Sequence, residues 1–94
     1  MLTPLLESYI KERILLYLFV ARESYPSELA RIFGFNLNAV QYQLIKLEAG
    51  GVLYSKLRGK VRLFGFNPRY PFKQELTSLL KKAMTFLPEE EKDR

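Results

Sequence analysis

Residues 27–51 read SELARIFGFNLNAVQYQLIKLEAGG and contain two helical patterns separated by a short break. The first pattern opens at Pro26, repeats apolar residues on one face for about two turns and stops at Gly34, because glycine favours the left-handed end of a helix. Asn36 can cap a second helix, which continues to the glycine pair at residues 50–51. The stretch therefore predicts two helices joined by a tight turn.

The second of these helices separates into an apolar and a polar side. Its inward positions recur at helical spacing and are Leu37, Val40, Leu44 and Leu47. With those residues turned toward a core, helical geometry places polar side chains on the remaining surface, with Asn38, Tyr42 and Lys46 outward and Gln41 and Gln43 on the flanks. A polar outward face on a helix that follows a tight turn is typical of a recognition surface.

Upstream, the chain predicts one long helix from the pair Thr3 and Pro4 to about Glu23, with the threonine as cap and the proline in the first turn. This helix is apolar on more than one side. One stripe suits a core, and a second stripe contains Leu5, Tyr9, Leu16, Phe19 and Val20. A helix with two apolar stripes must bury both, so we expect part of it to meet a partner subunit.

Downstream of the glycine pair, the apolar period changes from helical to two over residues 52–66, which predicts a β-hairpin. Four cations alternate with aliphatic residues across Gly59, namely Lys56, Arg58, Lys60 and Arg62. A three-residue loop at residues 58–60 keeps apolar residues opposite one another, whereas a two-residue loop pairs Leu57 with Lys60. The three-residue loop is therefore predicted, with Lys56 beside Arg62 on a face flanked by Tyr54, Phe64 and Phe66.

Two prolines break the strand pattern, and a last helix is predicted over residues 72–87, with residues 88–94 as a frayed tail. This helix also has more apolar residues than one stripe needs. Together with the first helix it predicts a dimer interface that contains Leu5, Tyr9, Leu16, Leu76, Leu80 and Met84. The same apolar excess is also compatible with an intramolecular core or with a ligand pocket between helices.

The length of 94 residues predicts a single domain, residues 1–94, with a helical core at residues 3–50. The net charge is +5, and its distribution is uneven. Residues 50–73 contain six cations and no acidic residue, the cations being Lys56, Arg58, Lys60, Arg62, Arg69 and Lys73. An uncompensated positive block of this kind indicates a polyanionic partner, most often nucleic acid and less often an anionic membrane surface.

Cysteine and histidine are both missing from the sequence, which excludes disulfides, thiol catalysis and the commonest metal ligands and general base. No pair of the remaining acid-base residues has a spacing that suggests cooperation, so no enzyme, metal site or cofactor is predicted. The apolar run at residues 14–21 is much shorter than the roughly 20 residues that span a bilayer. We therefore expect a protein of the reducing cytoplasm without a membrane segment.

The stretch RILLYLFVARESYPSELARIFGFNLNAVQYQLIKLEAGGVL resembles the core of ArsR-like and MarR-like winged-helix transcription regulators. The shared features are Ser27 to Ala30, Gly34, Asn36, Val40, Leu44, Leu47, Glu48 and Gly51. The resemblance implies a mainly α fold with a small β-hairpin (α+β), a winged helix-turn-helix with a three-helix core, a two-stranded wing and a C-terminal dimerisation helix. It also implies a homodimeric, sequence-specific regulator that binds double-stranded DNA.

In such regulators the recognition helix, here residues 36–49, enters the major groove, and the wing, here residues 56–62, touches the backbone or a minor groove. Residues with base-contact chemistry are Asn38, Gln41 and Tyr42. Backbone or minor-groove contacts are expected from Gln43, Lys46, Lys56, Arg58, Lys60 and Arg62. The cations at the loop, Arg58 and Lys60, are preferred over Lys56 and Arg62.

Each of these assignments has an alternative reading. The amides of Asn38, Gln41 and Gln43 can simply be solvated, and Tyr42 can pack on a neighbouring subunit. The wing cations can instead protect an exposed strand edge from aggregation. The whole domain can also be a protein-interaction module that binds no DNA. The recognition helix lacks the arginine and the serine or threonine often found at its start, so no base preference follows from the resemblance. A metal-sensing role is not expected without cysteine and histidine, and the sequence identifies no small-molecule effector.

Overall fold

The computed structural model describes residues 2–87, which form five helices and three strands. In chain order these are α1 (Thr3–Leu6), α2 (Tyr9–Ala21), β1 (Glu23–Ser24), α3 (Pro26–Phe33), α4 (Leu37–Ala49), β2 (Leu53–Arg58), β3 (Val61–Phe66) and α5 (Lys73–Met84). We call β2, β3 and their turn the wing hairpin. The architecture is α+β, with a helix-turn-helix followed by a wing, as the sequence predicts.

The helix predicted from Thr3 to about Glu23 is in fact two helices. Glu7 has a left-handed φ of 61°, and Ser8 begins α2 by accepting the Lys11 N–H at 3.1 Å. The break turns the first residues back onto the buried carboxylate of Glu12. A break of this kind is invisible to a periodicity argument, because the apolar pattern continues through it.

The carboxylate of Glu12 holds the start of the chain. It accepts the Leu2 N–H at 2.6 Å and the Thr3 hydroxyl at 3.0 Å, so the threonine predicted as a cap bonds to a side chain of α2. Burial by itself would raise the pKa of Glu12, but the bonds from Leu2 and Thr3 outweigh it and leave the pKa below its ordinary value. The predicted threonine cap is therefore wrong.

The helix-turn-helix forms as its local signals predict. Pro26 occupies the first turn of α3, and Gly34 ends that helix with a φ of 70°. Asn36 then caps α4 by accepting the Ala39 N–H at 3.2 Å, and α4 stops before the glycine pair. Each signal concerns a residue and its near neighbours in sequence, which is why each survives folding.

One core lies between the helices and the base of the wing hairpin. Its buried side chains include Ile14, Leu15, Leu18, Leu29, Val40, Leu44, Leu47, Leu53 and Phe64. Leu37, predicted to point inward, is exposed instead, because the first residue of α4 lies beyond the reach of the core. Leu16 and Leu80, predicted as dimer contacts, are buried within the single chain and belong to this core.

The sheet contains a strand that the sequence did not reveal. Residues Glu23–Ser24 form β1, which pairs antiparallel with β3, so the strand order is β1-β3-β2. The side chain of Ser24 is buried in the sheet and donates to Glu28 Oε1 at 2.6 Å. A strand of two residues is too short to show an alternating pattern.

The predicted register of the wing hairpin is also wrong. A two-residue turn, Gly59 and Lys60, connects the strands, so that Leu57 lies opposite Arg62 and Lys56 lies opposite Leu63. Gly59 has a φ of 65° at the first turn position, as a type II′ turn requires. Lys56 and Arg62 therefore point to opposite faces of the hairpin and are not a cross-strand pair.

The observed register requires a glycine at position 65. A Cβ on Gly65 would lie 2.9 Å from the Arg22 carbonyl oxygen and 2.9 Å from Cε1 of the Tyr54 ring. Glycine is thus needed where the Tyr54 ring crosses β3 and where β1 approaches. With Gly65 opposite Tyr54, the neighbouring Phe64 turns into the core. The predicted face shared by Tyr54, Phe64 and Phe66 does not exist.

The last helix is shorter than the predicted range 72–87. After Met84 the chain forms a turn, in which Thr85 donates its hydroxyl to the Lys82 carbonyl at 2.6 Å and Leu87 is buried. The predicted tail, residues 88–94, lies outside the described residues. Within residues 2–87 no helix has the length and apolar character needed to cross a bilayer.

Candidate nucleic-acid interface

The outward face of α4, which we define as Asn38, Gln41, Tyr42 and Ile45, is exposed along its whole length. Because Val40, Leu44 and Leu47 anchor the opposite side in the core, the helix cannot rotate without losing that packing. The face therefore presents two carboxamides, a phenol and an aliphatic side chain in fixed positions. Three of the four were predicted from sequence, and Ile45 was missed because aliphatic residues are normally assigned to a core.

Two further residues of α4 behave differently from each other. Lys46 is exposed, and its Nζ lies 5.2 Å from the centre of the Tyr42 ring, a cation–π arrangement one turn apart. Gln43 is only half exposed, and its Oε1 is buried without a hydrogen-bond donor among the described residues. The flank that carries Gln43 thus turns toward the protein, so the amide is not part of the outward face.

The wing hairpin has two faces with different chemistry. The α4 face carries Ser55, Arg62 and Phe64, and the outer face carries Tyr54, Lys56 and Gly65. On the α4 face, Arg62 Nη1 donates to Ser55 Oγ at 2.9 Å, and Ser55 donates to Glu48 Oε2 at 2.5 Å. Arg62 is therefore held at the junction between the wing and α4.

A groove joins this part of the wing to the outward face of α4. The α4 groove has a volume of about 340 Å³ and is lined by Pro26, Gln41, Ile45, Glu48, Arg62 and Phe64. It therefore places a guanidinium beside a carboxamide from the recognition helix. The sequence alone did not bring Arg62 and Gln41 together, because that requires the observed register.

On the outer face the charge of Lys56 is already compensated. Glu23 forms an ion pair with Lys56 Nζ at 2.9 Å and accepts the Tyr54 hydroxyl. These bonds lower the pKa of Glu23, Tyr54 contributing more than Lys56, and the bond to Glu23 raises the pKa of Tyr54. Lys56 is consequently a weaker candidate for a polyanion than its position in the sequence suggests.

The remaining two wing cations are at the tip. Lys60 is the second residue of the turn, and Arg58 is the last residue of β2, on the outer face. Both are exposed, as are the apolar neighbours Leu57 and Val61. The tip is therefore cationic with two exposed aliphatic side chains.

A second concavity, the α5 cleft, lies between α2, β1, the wing hairpin and α5. It has a volume of about 770 Å³ and is lined by Leu18, Phe19, Ala21, Arg22, Glu23, Tyr54, Phe66, Lys73 and Thr77. Arg22 has a left-handed φ of 75° there, and its N–H caps α2 by donating to the Leu18 carbonyl. Among the described residues no cluster of acidic side chains has the arrangement of a metal site.

Of the predicted dimer residues, four remain accessible. Leu5 and Tyr9 are exposed, and Leu76 and Met84 are half-buried. The Tyr9 ring packs edge-on against Phe35 with 6.1 Å between centres, so it already has an intramolecular neighbour. Large apolar side chains that are also exposed near the helix ends are Val20, Phe72 and Phe86.

Comparison with known structures identifies the fold. The chain is similar to the adhesin competence repressor AdcR of Streptococcus pyogenes, with a TM-score of 0.67 and 17% identity over 88% of this chain and 66% of that one. It is similar to YusO of Bacillus subtilis, with a TM-score of 0.64 and 22% identity over 89% and 65% of the chains. The chain thus spans slightly less than two thirds of the length of these two proteins.

A third similar structure has a more comparable length. It is a transcriptional regulator homologue from Pyrococcus horikoshii, with a TM-score of 0.59 and 15% identity over 89% of both chains. No protein-family model and no curated protein matches the sequence. The likeness therefore concerns the fold alone, which is a winged helix-turn-helix, as the resemblance of the sequence implied.

Proposed function

We propose that this protein binds double-stranded DNA as a transcription regulator. The observation that carries the proposal is the α4 groove, in which Arg62 of the wing lies beside Gln41 of the recognition helix. When α4 lies in the major groove along the base edges, phosphates of the duplex come close to the wing. The reason is that the DNA backbone flanks the major groove on both sides. One surface therefore offers both base-contact and phosphate-contact chemistry.

The recognition helix, residues 36–49, would lie in the major groove with Asn38, Gln41 and Tyr42 toward base edges. Lys46 and Arg62 would contact phosphates. Arg58 and Lys60 at the wing tip would reach the flanking backbone or minor groove. Lys56 is assigned no contact, since Glu23 already neutralises it.

We propose a homodimer as the DNA-binding form. Leu5 of α1, Tyr9 of α2, and Leu76 and Met84 of α5 remain wholly or partly accessible. A two-fold dimer would set two copies of α4 about 34 Å apart, which matches successive major grooves and a pseudo-palindromic site. Such a regulator would act in the cytoplasm, where bacterial or archaeal DNA is accessible.

Fluorescence anisotropy with labelled genomic duplexes tests DNA binding, and sedimentation tests the dimer. We expect tight binding to a subset of duplexes and an affinity that falls with salt by about 0.9 in logarithmic slope for each phosphate contacted. Arg58→Gln combined with Lys60→Gln should reduce that slope. Binding that is absent, or that is independent of salt, would overturn the proposal.

The alternative is a protein-interaction module, and the exposed Leu57 and Val61 at the wing tip favour it. Apolar side chains at an exposed tip suit a protein surface better than a phosphate. Retention on DNA-cellulose with release by salt distinguishes the two functions. The substitution Leu57→Ser would leave that retention unchanged if the domain binds DNA through its cations.

A further inference from the structure

The outward face of α4 has a chemical composition that bears on which bases it can read. From Leu37 to Ile45 the helix has no charged residue, and Lys46 is the one cation in α4. The groups actually presented to solvent are the amides of Asn38 and Gln41, the Tyr42 ring and the Ile45 side chain. These groups suit some base pairs and not others.

The two amides match adenine. Adenine offers an acceptor at N7 and a donor at N6 in the major groove, and a carboxamide can donate to the first while accepting from the second. Guanine offers two acceptors, for which the forked donors of arginine are the commonest partner. Asn38 and Gln41 are one helical turn apart on the same face, so both amides can address neighbouring base pairs.

The apolar pair matches thymine. Ile45 is 60% exposed and Tyr42 is 59% exposed. An aliphatic side chain on the face of a recognition helix contacts the C5-methyl group, which thymine has and cytosine lacks. Ile45 also lines the α4 groove beside Gln41, so an amide and an aliphatic group stand side by side.

The cations near this face are engaged elsewhere. Lys46 lies over the Tyr42 ring, in the third turn of α4, and Arg62 is bonded to Ser55 at the wing. Each of these cations is therefore already held by another group, an aromatic ring for Lys46 and a hydroxyl for Arg62. From Leu37 to Ile45, α4 itself therefore offers no arginine or lysine to guanine.

We infer that α4 selects half-sites rich in A·T base pairs, with adenine read by Asn38 and Gln41 and thymine methyl groups read by Ile45 and Tyr42. This inference rests on the proposed DNA-binding function and specifies its target. It also agrees with the cationic wing tip, because A·T-rich tracts have a narrow minor groove that attracts arginine. The selectivity would come from the major groove, and the wing would add to it.

Selection of binding sequences from randomised duplexes tests the inference first. We expect the enriched half-sites to be rich in A·T pairs at the positions under α4. Replacing one central A·T pair by G·C should weaken binding by about tenfold. Enriched half-sites with G·C pairs at those positions would overturn the inference while leaving DNA binding intact. Failure to enrich any duplex would instead count against the proposed function itself.

A chemical substitution in the DNA then separates the major groove from the minor groove. Uracil in place of thymine removes the C5-methyl group but leaves base pairing and the minor groove unchanged. The wild-type protein should bind the uracil duplex several-fold more weakly than the thymine duplex. The variant Ile45→Ala should show a clearly smaller preference for the thymine duplex, because it keeps Tyr42 but lacks the aliphatic group that contacts a methyl.

The matched control is Val20→Ala, which removes an exposed aliphatic side chain from α2 rather than from α4. It should retain the full preference for thymine over uracil. Since Ile45 is exposed, its replacement should leave the circular dichroism and the unfolding midpoint close to those of the wild type. If replacing thymine by uracil weakened the binding of the wild type and of Ile45→Ala by the same factor, the assignment of Ile45 would be overturned.

Discussion

On the α4 face of the wing hairpin, Arg62 donates to Ser55, and Ser55 joins it to Glu48 at the edge of the α4 groove. On the outer face, Lys56 forms an ion pair with Glu23, which also accepts the Tyr54 hydroxyl. Both cations belong to one alternating series in the sequence. Their different partners show that the availability of a surface cation for a polyanion depends on the face it occupies and on the charged groups already beside it.

The variant with the largest expected effect replaces Gly65, the glycine that the observed register requires. In Gly65→Ala, the new Cβ would meet the Arg22 carbonyl and the Tyr54 ring at 2.9 Å, and the carbonyl belongs to backbone that cannot easily move. We expect a loss of about 2 kcal/mol in the free energy of unfolding, measured by urea denaturation.

The control is Gly50→Ala at the end of α4. Its Cβ would have only ordinary contacts, the shortest being 3.5 Å to the Lys46 carbonyl, and its φ of −81° suits any residue. We expect a change near zero. Equal stability of the two variants would show that the position of the Tyr54 ring does not require a glycine in β3.

The second test compares the two faces directly through DNA binding. Arg62→Gln should weaken binding by about tenfold and reduce the salt slope by about 0.9, because it removes one phosphate contact. Lys56→Gln, the matched variant from the outer face, should leave the affinity and the slope nearly unchanged, since Glu23 already neutralises that charge. Anisotropy titrations over a salt series measure both quantities. Equal slopes for the two variants would contradict the division of the wing into faces.

Local signals in the sequence predicted much of the fold. Pro26, Gly34 and Asn36 each act on residues within one turn, and the helix-turn-helix appears where they place it. The outward positions of Asn38, Gln41 and Tyr42 follow from the same helix and its buried side. These features require no knowledge of distant contacts, which is why sequence reasoning is sufficient for them.

Features that depend on distant partners were not predicted. The hairpin register depends on Gly65 meeting both β1 and Tyr54, and β1 itself is too short to show a pattern. A glycine inside a predicted strand was the available signal, since it often marks close backbone approach. The break at Glu7 likewise depends on the buried carboxylate of Glu12, a residue that periodicity alone assigns to an ordinary surface position.

The third test concerns the side chain that positions Arg62. Ser55→Ala removes the hydroxyl that accepts from Arg62 and donates to Glu48. Arg62 keeps its charge but loses its fixed direction, so we expect DNA affinity to fall by about threefold with no change in the salt slope. Stability should change by less than about 1 kcal/mol.

Ser78→Ala, on the exposed side of α5, is the control and should affect neither quantity. A fall in the salt slope of Ser55→Ala would mean that the phosphate contact itself was lost. That result would make Ser55 essential to the contact rather than a residue that positions Arg62.

The smallest expected effect belongs to Glu23 and Tyr54, neither of which is assigned a DNA contact. Glu23→Gln removes the carboxylate that raises the pKa of Tyr54, so the tyrosine should titrate closer to its ordinary value of 10.0. The ultraviolet absorbance of tyrosinate, compared with that of Tyr54→Phe, measures this shift. Lys56→Gln should not reproduce it, because the hydrogen bond from Tyr54 to Glu23 remains.

The same variant gives a pH dependence of stability with a definite sign. The pKa of Glu23 is lowered by folding from its ordinary value of 4.5, so the ionised carboxylate stabilises the folded state above that pH. The advantage of the wild type over Glu23→Gln should be complete at neutral pH and should disappear as the pH falls below 4.5 through the lowered pKa. An advantage that persisted in acid would show that Glu23 acts through packing rather than charge, and the outer face would then no longer account for the weak role assigned to Lys56.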